Sequence, residues 1–287
     1  MLVSAASEID SLLAVSGRVG ADPMLVQAAT GNTSIKLDDV LWIKASGKWL
    51  AHAGQDEILV PVSLPETLRR ISNNTDPAGQ SAIVAGKPLG TSVETAMHAV
   101  IPLRVVLHVH SVNTITWAVR KDGEAQLAAR LKGLQWKWIP YMPSGLRLAG
   151  AIAEALAANP ATRVFVLANH GLVVCGESCV DAEDLLRDVE RRVAIEPRQV
   201  PEPNWAELES IAGRIGWRVP VNPAVHTLGI DPQSLRILRG GVLYPCQAIF
   251  LAAKAPIVSE FVTAADVAEV EGAYLVVEGR GVLMRPR

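Results

Sequence analysis

Hydrophobic and polar positions along this chain change their period several times, and the changes mark its elements. Residues 4–20 place Ile9, Leu12, Leu13 and Val19 at helical spacing, with Gly17, Gly20 and Pro23 as stops. Residues 34–37 and 40–44 read as short strands joined as a hairpin at Asp38-Asp39, and 58–62 as another strand. Ser63 caps a short helix through Ile71, with Glu66 completing a capping box. Residues 73–90, rich in Asn, Pro, Gly and Ser, read as a surface loop with some mobility. Ser92 opens a helix to about Ile101, ended by Pro102. The run Val105-Val106-Leu107-His108-Val109-His110 is β-branched and aliphatic and predicts a buried strand. Helices follow over 113–120, 123–132, 146–158 and 181–196, with strands over 137–140, 164–167 and 172–175.

Strands alternating with helices predict an α/β layered domain. The Pro-rich polar stretch 196–203 is the expected linker. It divides the chain into a domain at 1–196 and a C-terminal extension or lobe at 197–287. In that second part a helix is expected over 205–215, and strands over 242–244, 248–251 and 274–277.

Composition narrows the partners. At 287 residues, 49% hydrophobic and 20% charged, the chain has ample material for a globular core. A net charge of -2 and the absence of any basic run argue against nucleic acid. No window reaches the roughly 18 uncharged apolar residues of a membrane span. The N-terminus lacks the basic and apolar regions of a signal peptide. Cys175, Cys179 and Cys246 are odd in number and fit neither a disulfide framework nor a zinc knuckle. Free thiols in a reducing cytoplasm are expected. There is no Walker motif or dinucleotide fingerprint, which argues against nucleotide binding.

The candidate chemistry centres on the histidines. Alternate residues of a strand share a face, so His108 and His110 aim two imidazoles at one spot. Desolvated imidazoles need partners, and a catalytic zinc takes three protein ligands and keeps one position open. His170, after the apolar run 164–167, is the candidate third ligand; a turn residue before Gly171 is the plainer reading. Glu94 at a helix opening reads either as an acid facing the helix dipole or as a general acid/base beside a metal. His98, one turn on, either orients that carboxylate or packs against it. Gly31-Asn32, Ser46-Gly47 and Ser92 form three small polar turns. Each is explained by turn chemistry alone, yet together they offer donors to an oxyanion or a phosphate.

These motifs occur in a familiar order. Gly31-Asn32-Thr33-Ser34, Ser46-Gly47, Ser92-Val93-Glu94, His108-Val109-His110 and Asn169-His170-Gly171 resemble the class II aldolase/adducin family, over about residues 5 to 195. Tyr141-Met142-Pro143-Ser144-Gly145 before an Ala-rich helix also looks like the family pattern, and the segment near Leu243-Tyr244-Pro245 looks like the end of the aldolase half in bifunctional aldolase/alcohol dehydrogenases. The resemblance implies a three-layer α/β/α domain around a mainly antiparallel sheet, and a cyclic homotetramer. It implies His108, His110 and His170 as ligands of a divalent metal, zinc first, with manganese, iron or cobalt as alternatives. Glu94 becomes the catalytic acid/base. Gly31, Asn32, Ser46, Gly47 and Ser92 become the pocket for a substrate phosphate or carboxylate.

The expected activity is that of a metal-dependent aldehyde-lyase in carbohydrate metabolism. It would cleave a C–C bond of a ketose, a ketose phosphate or a similar hydroxy-keto substrate by retro-aldol reaction through a metal-stabilised enediolate. Val93 stands where several sugar-phosphate aldolases carry a second serine. The tyrosine that some of them lend from a neighbouring subunit has no counterpart among Tyr141, Tyr244 and Tyr274. Decarboxylation of a β-keto acid at the same site, and a non-catalytic adducin-like interaction role, are the alternatives.

Overall fold

The computed structural model describes residues 5–78, 89–259, 263–268, 270 and 272–286. Most of the surface loop expected at 73–90 lies outside them. The chain forms two compact units, Met1–Ile195 and Glu196–Arg287.

The first unit runs α1 (Ala5–Gly20), β1 (Asn32–Leu37), β2 (Val40–Lys44), β3 (Leu59–Ser63), α2 (Leu64–Ser72), α3 (Thr95–Val100), β4 (Val105–Val109), α4 (Val112–Ala118), α5 (Gly123–Arg130), β5 (Trp136–Ile139), α6 (Leu146–Ala158), β6 (Val164–Leu167), β7 (Gly171–Gly176) and α7 (Cys179–Val193). Its seven strands form one sheet in the order β3-β2-β1-β4-β7-β6-β5. Every neighbouring pair is antiparallel except β5 with β6.

Strand parity builds the layers. In β4, Val105, Leu107 and Val109 join the core with α1 and α7, through Leu12, Val15, Leu186 and Val189. Val106 faces the other way, into a core with Met97 and Ile101 beyond α3 and Leu148 and Ile152 of α6. Ala99 of α3 packs with Leu41, Ile43, Val60 and Val62 of β2 and β3 on that same face. The result is a helix–sheet–helix sandwich around a mainly antiparallel sheet, as the sequence pattern and the resemblance imply.

Local details differ. The expected capping box is half formed: Ser63 Oγ accepts from Glu66 N at 3.4 Å, but the Glu66 carboxylate pairs with Arg69 at 2.7 Å. The helix expected from Ser92 begins at Thr95, with Glu94 as its N-cap residue, because Ser92 Oγ accepts from Glu94 N at 3.2 Å and turns the chain first. β4 ends at Val109, so His110 lies just past the strand.

The second unit contains α8 (Trp205–Ile215), α9 (Thr227–Ile230), α10 (Pro232–Arg239), α11 (Pro245–Leu251), β8 (Ile257–Val258), α12 (Ala264–Ala268), β9 (Tyr274–Val277) and β10 (Gly281–Met284). The three strands form their own sheet, order β10-β9-β8. Leu208, Ile211, Leu275, Val277 and Leu283 form a core of its own. Residues 242–244 and 248–251, expected as strands, are not strands. Pro245 fits the first turn of a helix, and the short apolar run after it becomes α11.

None of the three cysteines forms a disulfide among the described residues. Burial pushes the Cys175 thiol up to about 12 and the Cys179 thiol to about 11. Since the thiolate is the nucleophile, neither is reactive near neutrality. Iodoacetamide at about pH 8 should leave both unmodified in the native protein and label both after denaturation, read by peptide mass spectrometry. Rapid native labelling of Cys175 would contradict this packing.

Candidate metal centre

His108 lies on the face of β4 that carries Val106, so its ring enters the sandwich beside α3. Its cross-strand neighbours are Asn32 in β1 and Val173 in β7. Cross-strand partners share a face, which sets the Asn32 amide next to the imidazole. His110 follows two residues later. His170 sits in the turn between β6 and β7, reached through Asn169 at φ +53°.

The three rings meet edge to face, with centroids 4.9–5.2 Å apart. One ring nitrogen from each lies within 4.8 Å of the others, and all three residues are buried. His110 Nε2 is 3.2 Å from His108 Nε2. His108 Nδ1 donates to the Leu172 carbonyl at 3.1 Å. That bond fixes the ring and turns Nε2 towards the other histidines, the usual outer-sphere arrangement of a metal-binding imidazole; burial works against a charge on the ring, but the Glu94 carboxylate outweighs it and raises the His108 pKa. The donor set therefore fits a divalent cation.

Glu94 completes the cluster. Its Oε1 lies 3.2 Å from His170 Nε2 and 3.4 Å from His108 Nε2, and accepts from Ser144 Oγ at 3.3 Å. Its Oε2 accepts from Asn32 Nδ2 at 2.5 Å. Burying a carboxylate costs several kcal/mol unless it is paired. Here burial pushes the Glu94 carboxyl up, but the charges and hydrogen bonds of His108 and His170 outweigh it and hold it well below its ordinary range. Burial pushes His110 well down, reinforced by His108 and His170, so its ring is neutral.

The expected residues are thus partly assembled. His108, His110 and His170 meet one another, Glu94 lies against His108 and His170, and Asn32 holds Glu94. Ser92 shapes the turn that presents Glu94. Gly31, at φ +67°, lets the chain pass close to β4, where an added Cβ would lie 2.9 Å from the His108 carbonyl. Ser46 and Gly47 are exposed; Ser46 N donates to Gly90 O at 3.0 Å. Among the described residues no hydrogen bond joins Ser46 or Gly47 to the histidines. His98 does not orient Glu94 through its ring: its Nδ1 pairs with Ser34 Oγ at 2.7 Å, and burial lowers its pKa to about 3.

Two residues at the site escaped the sequence reading. Ser144 stood in a noted motif without a role, and only the fold sets its hydroxyl on Glu94. Gly171 read as a turn residue, but a Cβ there would lie 2.5 Å from the Val109 carbonyl, 3.3 Å from His110 Cδ2 and 3.4 Å from His108 Cε1. Its smallness makes room for both rings.

Comparison with known proteins agrees with this architecture. Residues 11–196 match the family described as Class II Aldolase and Adducin N-terminal domain. The chain is 28% identical over 185 residues to the uncharacterized oxidoreductase YuxG of Bacillus subtilis (strain 168), a match covering 59% of this chain and 27% of that protein. The chain thus spans about a quarter of the length of that curated relative. The N-terminal class II aldolase domain of a conserved protein from Thermoplasma acidophilum superposes with a TM-score of 0.57 at 24% identity, covering 67% of this chain and 95% of that one. A sugar-phosphate aldolase from Thermotoga maritima gives 0.53 at 15% identity, covering 76% and 99%. These two likenesses concern the fold, and the family match spans the whole histidine-bearing unit. The chain belongs to the class II aldolase and adducin N-terminal domain family.

Proposed function

We propose that residues 1–196 form a catalytic domain for reversible, metal-dependent C–C bond cleavage of a ketose, a ketose phosphate or a similar hydroxy-keto compound, with 197–287 as an extension. The observation that carries this reading is a buried carboxylate, Glu94, set against imidazole nitrogens that converge on one point. His108, His110 and His170 would hold the divalent cation, zinc being the first choice for three imidazoles and an open position. When bound, the ion supplies Lewis acidity to a substrate carbonyl and its neighbouring hydroxyl.

The protein's own groups do the rest. Asn32 fixes Oε2 of Glu94, which leaves Oε1 on the histidine side to hold and move the proton. In the cleavage direction the Glu94 carboxylate takes up the proton that the substrate hydroxyl loses as its carbon becomes the aldehyde, and gives it to the carbon left behind. In the synthetic direction it removes the proton. Ser144 keeps the carboxylate turned towards the site. Gly31, Asn32, Ser46, Gly47 and Ser92 would receive the anionic end of the substrate. Val93 in place of a second serine favours one further reading, decarboxylation of a β-keto acid by the same groups; release of CO2 without an aldehyde would select it. We further propose that the chain assembles as a homotetramer in the cytoplasm; the absence of a disulfide among the described residues and the family's habit support this.

Elemental analysis should find about one zinc per chain in the wild type and none in the His108→Ala/His110→Ala double variant. A metal-free wild type, even after incubation with zinc, would remove the foundation of the enzyme reading. Glu94→Gln should retain the metal and lose about 10²- to 10⁴-fold in turnover, the usual scale for a general acid/base. Full activity in that variant would refute the assigned role. Gly171→Ala, which crowds both rings, should weaken zinc binding by about tenfold or more in a chelator competition, with the fold retained by circular dichroism.

A further inference from the structure

In the second unit β9 and β10 pair antiparallel, with Met284 opposite Tyr274 and Val282 opposite Val276. Strand parity puts these four residues on one face of the small sheet, and Leu275, Val277 and Leu283 on the other. α8 covers that other face through Leu208 and Ile211. α10 covers the first through Leu235, which joins a core with Tyr274, Val276 and Val282. α11 adds no buried residue to either. Between α10, α11 and the pair Tyr274 and Met284 the packing leaves a cavity of about 450 Å³.

Its walls are almost wholly apolar. Among the described residues no aspartate, glutamate, lysine, arginine or histidine lines it. Ile237, Leu243, Leu251 and Met284 form its rim and are 36–46% exposed. A concave apolar site of this size is of the kind that small molecules fill. Three polar groups interrupt the walls, the phenols of Tyr244 and Tyr274 and the carboxamide of Gln247. Gln247 Oε1 accepts from Leu243 N at 3.0 Å, which leaves its NH2 group as a donor. Among the described residues neither phenol hydroxyl makes a hydrogen bond, although Tyr274 is only 8% exposed. A tyrosine so buried usually finds a partner for its hydroxyl. Burial raises the pKa of both phenols and Tyr244 adds to the shift of Tyr274, so the two hydroxyls are neighbours and stay protonated near neutral pH.

We propose that this cavity is a second binding site, for a neutral and largely apolar small molecule whose carbonyl oxygen accepts from the Tyr244 and Tyr274 hydroxyls. A charged ligand would give up its hydration here with no opposite charge to replace it. A wholly hydrocarbon ligand, or an apolar side chain of a second copy of the chain, would fill the volume and leave both hydroxyls unpaired. The site uses none of the residues of the metal centre, so it stands independently of the reaction assigned there.

The test is fluorescence titration of the full chain with prodan, a neutral naphthalene ketone whose emission moves to shorter wavelength in an apolar site. The wild type should bind it saturably, at about one molecule per chain. The Tyr244→Phe/Tyr274→Phe variant keeps the shape of the walls and should bind about tenfold more weakly, the scale of one or two neutral hydrogen bonds. Leu251→Lys, which sets a hydrated charge on the exposed rim, should weaken binding by about tenfold or more. Melting curves establish that the variants are folded; if Leu251→Lys does not fold, the tyrosine variant decides. An anionic naphthalene sulfonate should compete poorly. Absence of saturable prodan binding, equal affinity in the tyrosine variant, or a sulfonate that binds as tightly as prodan would each overturn the proposal. So would sedimentation showing that prodan binds only as an oligomer dissociates, which would give the cavity to a second copy. Zinc content, read on the same samples, judges the metal centre separately.

Discussion

Everything at the site depends on placing imidazoles on a strand whose other residues are aliphatic. β4 runs through the middle of the sheet, with β1 on one side and β7 on the other, so its side chains have no route to solvent. Val105, Leu107 and Val109 bind it to one helical layer, and Val106 to the other. His108 continues the second face. A fully buried imidazole must be satisfied locally, and the register supplies the means: the Leu172 carbonyl on β7, Asn32 opposite on β1, and Glu94 at the start of α3. Slipping β1 by one residue would move Asn32 to the other layer and strip Glu94 of its donor.

The histidines of the chain separate by how their nitrogens are used. His226, in the second unit, is just as buried, but backbone groups satisfy both its nitrogens: Pro220 O at 2.9 Å and Val282 N at 3.1 Å. It is a structural core residue. His110 Nε2 instead faces His108 Nε2, which also lies against Glu94, and His110 Nδ1 has no hydrogen-bond partner among the described residues. Imidazoles facing one another across 3.2 Å gain little from that contact alone. A group that accepts lone pairs turns the arrangement into a favourable one.

Burying a carboxylate and an ammonium in the same small domain works against stability. Glu94 is offset by Asn32, Ser144 and the histidines, and Lys44 by the Ala29 and Lys48 carbonyls. Neither is paired with the other at contact range. A fold selected only for stability would place aliphatic residues at both positions. Perturbed, buried ionisable groups gathered in one region are the mark of a functional site. The second unit shows a different economy, with its own sheet and apolar core.

Much of this was legible along the chain because it rests on short-range periodicity. The β-branched, aliphatic run at 105–110 identified the strand, the two-residue spacing of its histidines gave their shared face, and helical spacing located α1. Ordered turn motifs pointed to the family. Failures came where local signals were ambiguous. The apolar run 248–251 was too short to tell strand from helix, and Pro245 resolved it only as part of α11. Glu66 chose Arg69 over the cap. The contacts of the centre itself are long-range. Ser144 lies 50 residues from Glu94, and Asn32 lies 62. Ala29 and Lys48 meet only through an ammonium buried between their turns. Local sequence decides which residues form strands and which faces they share. Which carbonyl, amide or hydroxyl then meets a buried charge follows from the packing of strands and turns distant in the chain, and that exists only in the folded state.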